Sequence, residues 1–270
     1  MVATDKLFAG SIPEIYDRLM VPLIFEPYAR DLAERVARVE PQDVLETAAG
    51  TGVLTRAMAS RLPEHTRIMA TDLNQPMINQ AAAKQPKHDR VTWRQADALT
   101  LPYEDRTFDV VVCQFGAMFF PEKVKAYGEA RRVLKPHGHF FFNVWDRISE
   151  NEFSDVVTNA LAVLFPKDPV RFMARTPHGY HDVDKIREEL AAAGFADISI
   201  ETVGHMSKAA SARETAIALC QGTPLRNEIE ARDATGLEGA TKAAADALTL
   251  QFGSGPIEGR MRAHVIAATG

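Results

Sequence analysis

The chain has 270 residues, 46% hydrophobic and 25% charged, enough apolar side chain to bury a full core, which excludes a largely disordered protein and favours one domain with additions. Lysine plus arginine total 31 against 36 aspartate plus glutamate, and the resulting net charge of -5 argues against nucleic acid as a partner. No apolar run approaches the length of a membrane span, and the opening MVATDKLFAGSIPEIYDRLM lacks a signal-peptide core, so a cytoplasmic address with no membrane partner is expected.

In chain order, residues 1–40 carry Tyr16, Phe25 and Tyr28 among their apolar positions and are expected to form a helical cap across a sheet edge, ahead of a main domain at 41–270. From Val44 short β-rich runs alternate with helical periods, the pattern of repeated βα units feeding a parallel sheet. DVLE is strand one, RIMAT strand two and VTWRQ strand three; FDVVVCQ, a continuous β-branched run, is a central strand buried on both faces. A helix then ends in LKPHGH, with Pro136 and Gly138 as stop signals, and HFFFNVW is strand five. The rhythm changes after Trp145. A helix over ENEFSDVVTNALAVLF leads into a loop at 166–182 rich in Pro, Arg and His, and 150–183 as a whole has the makings of a lid. A helix capped by Gly194 and a sixth strand follow, then a helical insertion at 208–255 and a seventh strand over RMRAHVIAA. Within that insertion LCQGTPLRNEIEAR is long enough to serve as a cap or a homodimer surface, which leaves the oligomeric state open.

The stretch Asp43 to Ala59, DVLETAAGTGVLTRAMA, is the most specific in the chain. A strand that ends in a carboxylate, Glu46, breaks into Ala48, Ala49, Gly50 and Gly52 and resumes as a helix, bringing backbone N–H groups close to a bound ligand. A merely tight turn would look the same. Twenty residues beyond Gly52, strand two ends in Asp72, a carboxylate placed to accept both hydroxyls of a ribose or, alone, to cap the helix that follows. A nicotinamide dinucleotide would also suit such an acid, but Thr55 stands where the third glycine of the phosphate-binding fingerprint belongs. An NAD-dependent oxidoreductase is therefore the second reading, and a non-catalytic binding protein the third.

Strand three ends in QADALTLPYEDRTFDVVV, and with it the motif order over 43–144 resembles the class I S-adenosylmethionine-dependent methyltransferases. The chain is similar to the small-molecule branch that includes the ubiquinone and menaquinone methyltransferases, and LKPHGHFFF matches the helix end and strand five of that family. The resemblance implies a Rossmann-like, doubly wound, seven-stranded sheet with an antiparallel last strand, and S-adenosyl-L-methionine as cofactor. It places Glu46 and the turn of Ala48, Gly50, Thr51 and Gly52 around the methionine portion, Asp72 on the ribose, and Leu73 and Met77 on an adenine face. Asp97 and Ala98 take the adenine edge, and Gln114 lies near the methyl group. Ala48 departs from the family pattern, where a glycine is usual.

Methyl transfer is an in-line displacement at an activated sulfonium, so a catalytic triad is not required and no catalytic residue is assigned. After strand four CQFGAMFFPE lacks both the Asn-Pro-Pro-Tyr motif and the Pro-Cys nucleophile of nucleic-acid enzymes, which points to a small acceptor. Phe115, Met118, Phe119 and Phe120 either line its site or pack the core; Tyr16, Tyr28, Phe172 and His178 are the remaining acceptor candidates. His178 and His181 stand three apart, but Pro177 and Gly179 place them in a loop, and no metal is expected. Cys113 and Cys220, far apart, read as small buried apolar residues.

Overall fold

The computed structural model describes Asp5, Leu7, Phe8, residues 10–85 and residues 90–270, so part of the expected N-terminal cap lies outside the described residues. The chain divides into two compact units. One, the sheet unit, comprises Glu26–Val144, His181–Val203 and Ala263–Gly270; the other, the helical unit, comprises the residues up to Phe25, Trp145–Tyr180 and Gly204–Arg262.

In the sheet unit the elements run α2 (Glu26–Ala37), β1 (Asp43–Glu46), α3 (Val53–Arg61), β2 (Arg67–Asp72), α4 (Gln75–Lys84), β3 (Val91–Gln95), β4 (Phe108–Gln114), α5 (Lys123–Val133), β5 (Leu134–Trp145), α8 (Val183–Ala192), β6 (Asp197–Ala209) and β7 (Ile257–Thr269), the last residues of β5 and parts of β6 and β7 belonging to the helical unit. The sheet order is β3-β2-β1-β4-β5-β7-β6, with β7 antiparallel to both neighbours and the other pairs parallel. Because β1 pairs with β2 on one side and β4 on the other, the winding reverses between β1 and β4. Open parallel sheets bind ligands at such a reversal, beyond the C-terminal ends of the strands.

The four-residue β1 is central because both its neighbours cover it: Val44 stands level with Ile68 and Val110, and Leu45 with Met69 and Val111. One face of the sheet packs Val44, Ile68, Val110, Val112 and Phe141 against Leu32, Ala33 and Val36 of α2 and Leu54 and Met58 of α3. Each of these large side chains contributes about 1.5 to 3 kcal/mol by leaving water. Helix α2 therefore covers a sheet face, not the edge expected from sequence; its apolar positions at i, i+1 and i+4 give a stripe that only a broad apolar surface can bury. The ring of Tyr127 stacks on Phe142 and meets Phe140 at a tilt, and Phe140 also stacks on Phe195.

Strand five also differs from expectation. It begins at Leu134, and Pro136 and Gly138 lie inside it, where the pairing with β4 slips between Phe108 and Val110. A bulge tolerates a proline because the ladder bond is already missing there.

The helical unit holds α1 (Ile12–Ile15), a π-helical segment Tyr16–Phe25, α6 (Glu152–Leu164), α7 (Phe172–Arg175), α9 (Ala212–Gln221), α10 (Leu225–Arg232) and α11 (Leu237–Phe252). The expected helical insertion is thus three helices, and the loop at 166–182 contains one short helix, α7. Phe153, Val157 and Leu161 of α6 and Ala240, Ala244 and Leu248 of α11 repeat every four residues and are buried. Small residues on α11 allow close helix contact there. Among the described residues, no helix is long and apolar enough to cross a membrane.

Candidate active site

Four adjacent strands end in the residues singled out from sequence. Glu46 closes β1, Asp72 closes β2, Gln114 closes β4, and Asp97 follows β3 by two residues, with Asp72 level with Gln95 and Gln114 level with Asn143 in the pairing register. These ends lie at the winding reversal between β1 and β4.

The turn after β1 is built for close approach. Ala48, Gly50 and Gly52 all have positive φ, 53°, 56° and 80°. Left-handed residues alternating with others curl the backbone so that successive N–H groups converge into a concavity that favours negative or lone-pair atoms. Gly52 is held there by space as well, since a Cβ would lie 2.7 Å from the Trp93 ring. Arg56 donates to the Thr51 carbonyl at 2.6 Å and fastens the turn to α3.

Asp72 is buried and accepts from the backbone N–H of Gly50 at 2.8 Å through one oxygen and of Asn74 at 2.7 Å through the other. Burial raises its pKa above the usual aspartate value, opposed by those backbone donors. Of the sequence alternatives for Asp72, the local cap is the one seen: it accepts from Asn74, just before α4, and its other oxygen holds the turn at Gly50 with a lone pair to spare. Leu73 beside it is 43% exposed, an uncovered apolar side chain next to a buried acid, while Met77 is buried with its Cε 3.7 Å from where a Gly50 Cβ would be.

Glu46 is 1% exposed, and its carboxylate accepts one side-chain hydrogen bond, from the Thr55 hydroxyl at 2.5 Å. Burial pushes its pKa up to about 8, with Thr55 and Arg56 pulling down and Asp72 pushing up. Thr55, noticed in the sequence only as the residue replacing a glycine, is the one that orients Glu46. Asp97 is exposed and accepts from the Leu99 N–H at 2.9 Å, in a turn closed by its bridge to Thr100, with Ala98 between them half-buried.

Phe115 and Met118 follow β4 and are buried, while Phe119 and Phe120 are half-buried. Phe115 has a φ of 50°, its N–H donates to Asn143 Oδ1 at 2.9 Å, and its ring meets that of Tyr28 edge-on. Tyr28 is fully buried, and its hydroxyl donates to the Val203 carbonyl at 3.1 Å. Tyr16, Phe172 and His178 belong to the helical unit. There Tyr16 packs on Phe25, Phe172 is buried, and the buried His178 ring hydrogen-bonds through Nδ1 to the Asp146 carbonyl at 2.9 Å. Burial pushes the Cys113 thiol up to about 12, which leaves it unreactive.

The residues present fit a donor with a ribose and a cationic amino-acid end. Glu46 and Asp72 are buried carboxylates that make no ion pair among the described residues, and the Thr51 hydroxyl is buried with no hydrogen-bond partner among them. A buried polar atom left unmatched costs about 1 to 3 kcal/mol, recovered when a ligand supplies the partner.

The family profile described as "Methyltransferase domain" matches residues 45–142, the span from β1 into β5. The ubiquinone/menaquinone biosynthesis C-methyltransferase UbiE of Paraburkholderia phymatum is 32% identical over 169 residues, 59% of this chain and 70% of the relative. The chain belongs to the class I S-adenosylmethionine-dependent methyltransferases. As an enzyme of this family it uses S-adenosyl-L-methionine, and neither an NAD-dependent oxidoreductase nor a non-catalytic binding protein describes it. The demethylmenaquinone methyltransferase of Lactiplantibacillus plantarum is 40% identical over 96 residues, 34% of this chain and 40% of that protein. Among solved structures, the phosphoethanolamine N-methyltransferase 2 of Haemonchus contortus superposes with a TM-score of 0.59 at 16% identity, covering 100% of this chain and 60% of that one. The YcgJ protein of Bacillus subtilis gives 0.56 at 19% identity, covering 90% and 97%. At these identities the likeness is one of fold.

Proposed function

We propose that this methyltransferase acts in the cytoplasm on a ring carbon of a small, partly apolar, quinone-type acceptor. The support is the activity carried by the names of the two relatives above, together with Phe115 and Met118 following β4 and a net charge of -5 that disfavours nucleic acid.

Within that reading the donor, when bound, supplies a methyl group on a sulfonium already activated for displacement. The chain's task is to hold it. Glu46, Ala48, Gly50, Thr51 and Gly52 surround the amino-acid end, Asp72 accepts from the ribose hydroxyls, Leu73 and Met77 cover the adenine, and Asp97 with Ala98 meets its edge. Gln114 lies nearest the reacting end. The observation that carries the placement is the pair of buried carboxylates, Glu46 and Asp72, on neighbouring strand ends, with no cation bonded to either among the described residues. A buried carboxyl such as Glu46 ionises favourably when a cationic ligand pairs with it.

The test is incubation of methyl-labelled donor with a demethylated naphthoquinol. Protein-dependent label on the ring carbon is expected, and its loss in Asp72→Ala. Labelling of other small molecules in a metabolite extract, with none on the naphthoquinol, would reject the quinone-type acceptor.

A further inference from the structure

Ala48, where the family has a glycine, meets a glycine elsewhere. A Cβ built on Gly116 would lie 2.4 Å from the Cβ of Ala48 and 2.7 Å from the Sγ of Cys113. Real Cβ atoms do not approach that closely, and an alanine methyl has no rotor by which to move aside. Gly116 itself has φ -101° and ψ -34°, a right-handed conformation open to every residue, so space alone demands glycine there. Ala48 shows the converse. Its φ of 53° strains an alanine where a glycine would be free, yet its methyl fills the space that Gly116 leaves.

The segment carrying Gly116 is pinned from a second side. Phe115, one residue earlier, is held at positive φ by its N–H, which donates to Asn143 Oδ1 at 2.9 Å and is shared with the Asn143 carbonyl at 3.2 Å. Asn143 is fully buried on β5, and the Phe115 N–H fixes which end of its amide is the oxygen. Gln114 and Phe115 are thus set between a contact to the donor turn and a bond to β5.

We propose that Gly116 is a positioning residue: its contact with Ala48 sets the spacing between the turn after β1 and the loop after β4, and so places Gln114 and Phe115 against the donor. The inference rests on the assignment of the donor to that turn. In-line transfer tolerates little displacement, a shift of about 1 Å costing on the order of a hundredfold in rate.

The test is a double-mutant cycle of Gly116→Ala and Ala48→Gly, read by calorimetric titration of S-adenosylhomocysteine into each variant well below its unfolding midpoint. Gly116→Ala should weaken binding about tenfold when residue 48 is alanine and less than about threefold when it is glycine. Adding Cys113→Ala to the double variant should remove what remains, because the sulfur is the other atom in the way. A role confined to stability would move the midpoint and leave these affinities alone. If Gly116→Ala does not accumulate folded, Ala48→Gly alone is informative: relief of strain holds or raises its midpoint, while the loosened contact lowers affinity about threefold. Folded Gly116→Ala binding as tightly as wild type, equal costs in both backgrounds, or an unchanged affinity in Ala48→Gly beside an unfolded Gly116→Ala would overturn the proposal. Failure of the wild-type protein to bind the homocysteine product would instead reject the donor assignment.

Discussion

Buried acids are treated oppositely in the two units. In the helical unit Asp5 accepts from Arg175 at 2.8 Å and from the Thr176 hydroxyl at 2.7 Å, and Arg175 also reaches Glu228. Asp146 accepts from Arg262 at 2.6 Å and from the Arg147 N–H at 2.7 Å. In the sheet unit Glu46 is as deeply buried as either, yet among the described residues its carboxylate is met by one hydroxyl, and Asp72 by the backbone N–H groups of Gly50 and Asn74 and the side-chain amide of Asn74, with no ion pair to either acid. Carboxylates neutralised by arginines hold segments of chain together; on the proposed reading, Glu46 is left to meet the cationic end of the donor and Asp72 its ribose hydroxyls. The proposed donor site rests on that difference, which burial alone does not reveal.

The largest effect should come from breaking a structural pair. Arg175→Ala leaves Asp5 buried beside no guanidinium and is expected to destabilise the protein by about 2 to 3 kcal/mol, below the full cost of an orphaned buried charge because Arg175 is partly solvated. Urea unfolding measures it, and donor affinity should stay within about twofold. Asp72→Ala should do the reverse, weakening donor binding by about 1.5 to 3 kcal/mol in calorimetry. A variant that folds and binds normally would show that the acids without an ion pair do not mark the donor site.

A smaller effect separates the two classes by pH. The folded-state pKa of Glu46 is raised from 4.5 to about 8, so between those values the folded protein binds more protons than the unfolded chain. Stability from this group therefore falls as pH rises from about 4.5 to 8 and levels off above it. Glu46→Gln, which can still accept from Thr55, should flatten that slope, with a difference of at least about 1 kcal/mol between urea unfolding at pH 6 and pH 8.5. An unchanged slope would mean that Glu46 is ionised in the free protein.

The features legible in the sequence are those written at short spacing. The strand, small-residue turn and helix from Asp43 to Ala59, and Asp72 at the end of the next strand, lie within one βα repeat, and the periodicity that makes the repeat also places these residues on strand ends. The seven strands were readable for the same reason, whereas the antiparallel direction of β7 came only with the family resemblance. Contacts between distant segments leave no such trace. Gly116 looks like any turn glycine until Ala48, 68 positions earlier, is found against it, and Asn143 looks like a polar break in an apolar strand until its oxygen is found on the Phe115 N–H. Helix α2 was misplaced to the edge because an amphipathic stripe states how much apolar surface it needs and not which surface supplies it. The start of β5 was set too late because Pro136 and Gly138 are stop signals in a regular strand and ordinary residues in a bulge.

The most direct measurement is the proton balance of donor binding. S-adenosylmethionine is titrated into the wild-type protein and Glu46→Gln at pH 7 in two buffers of different ionisation enthalpy. A carboxyl held protonated by burial must ionise when a cationic ligand arrives beside it, so the wild type should release close to one more proton per donor bound than Glu46→Gln does. Equal proton release in the two proteins, with both binding the donor, would contradict the claim that the turn after β1 keeps its buried acid in reserve for the ligand.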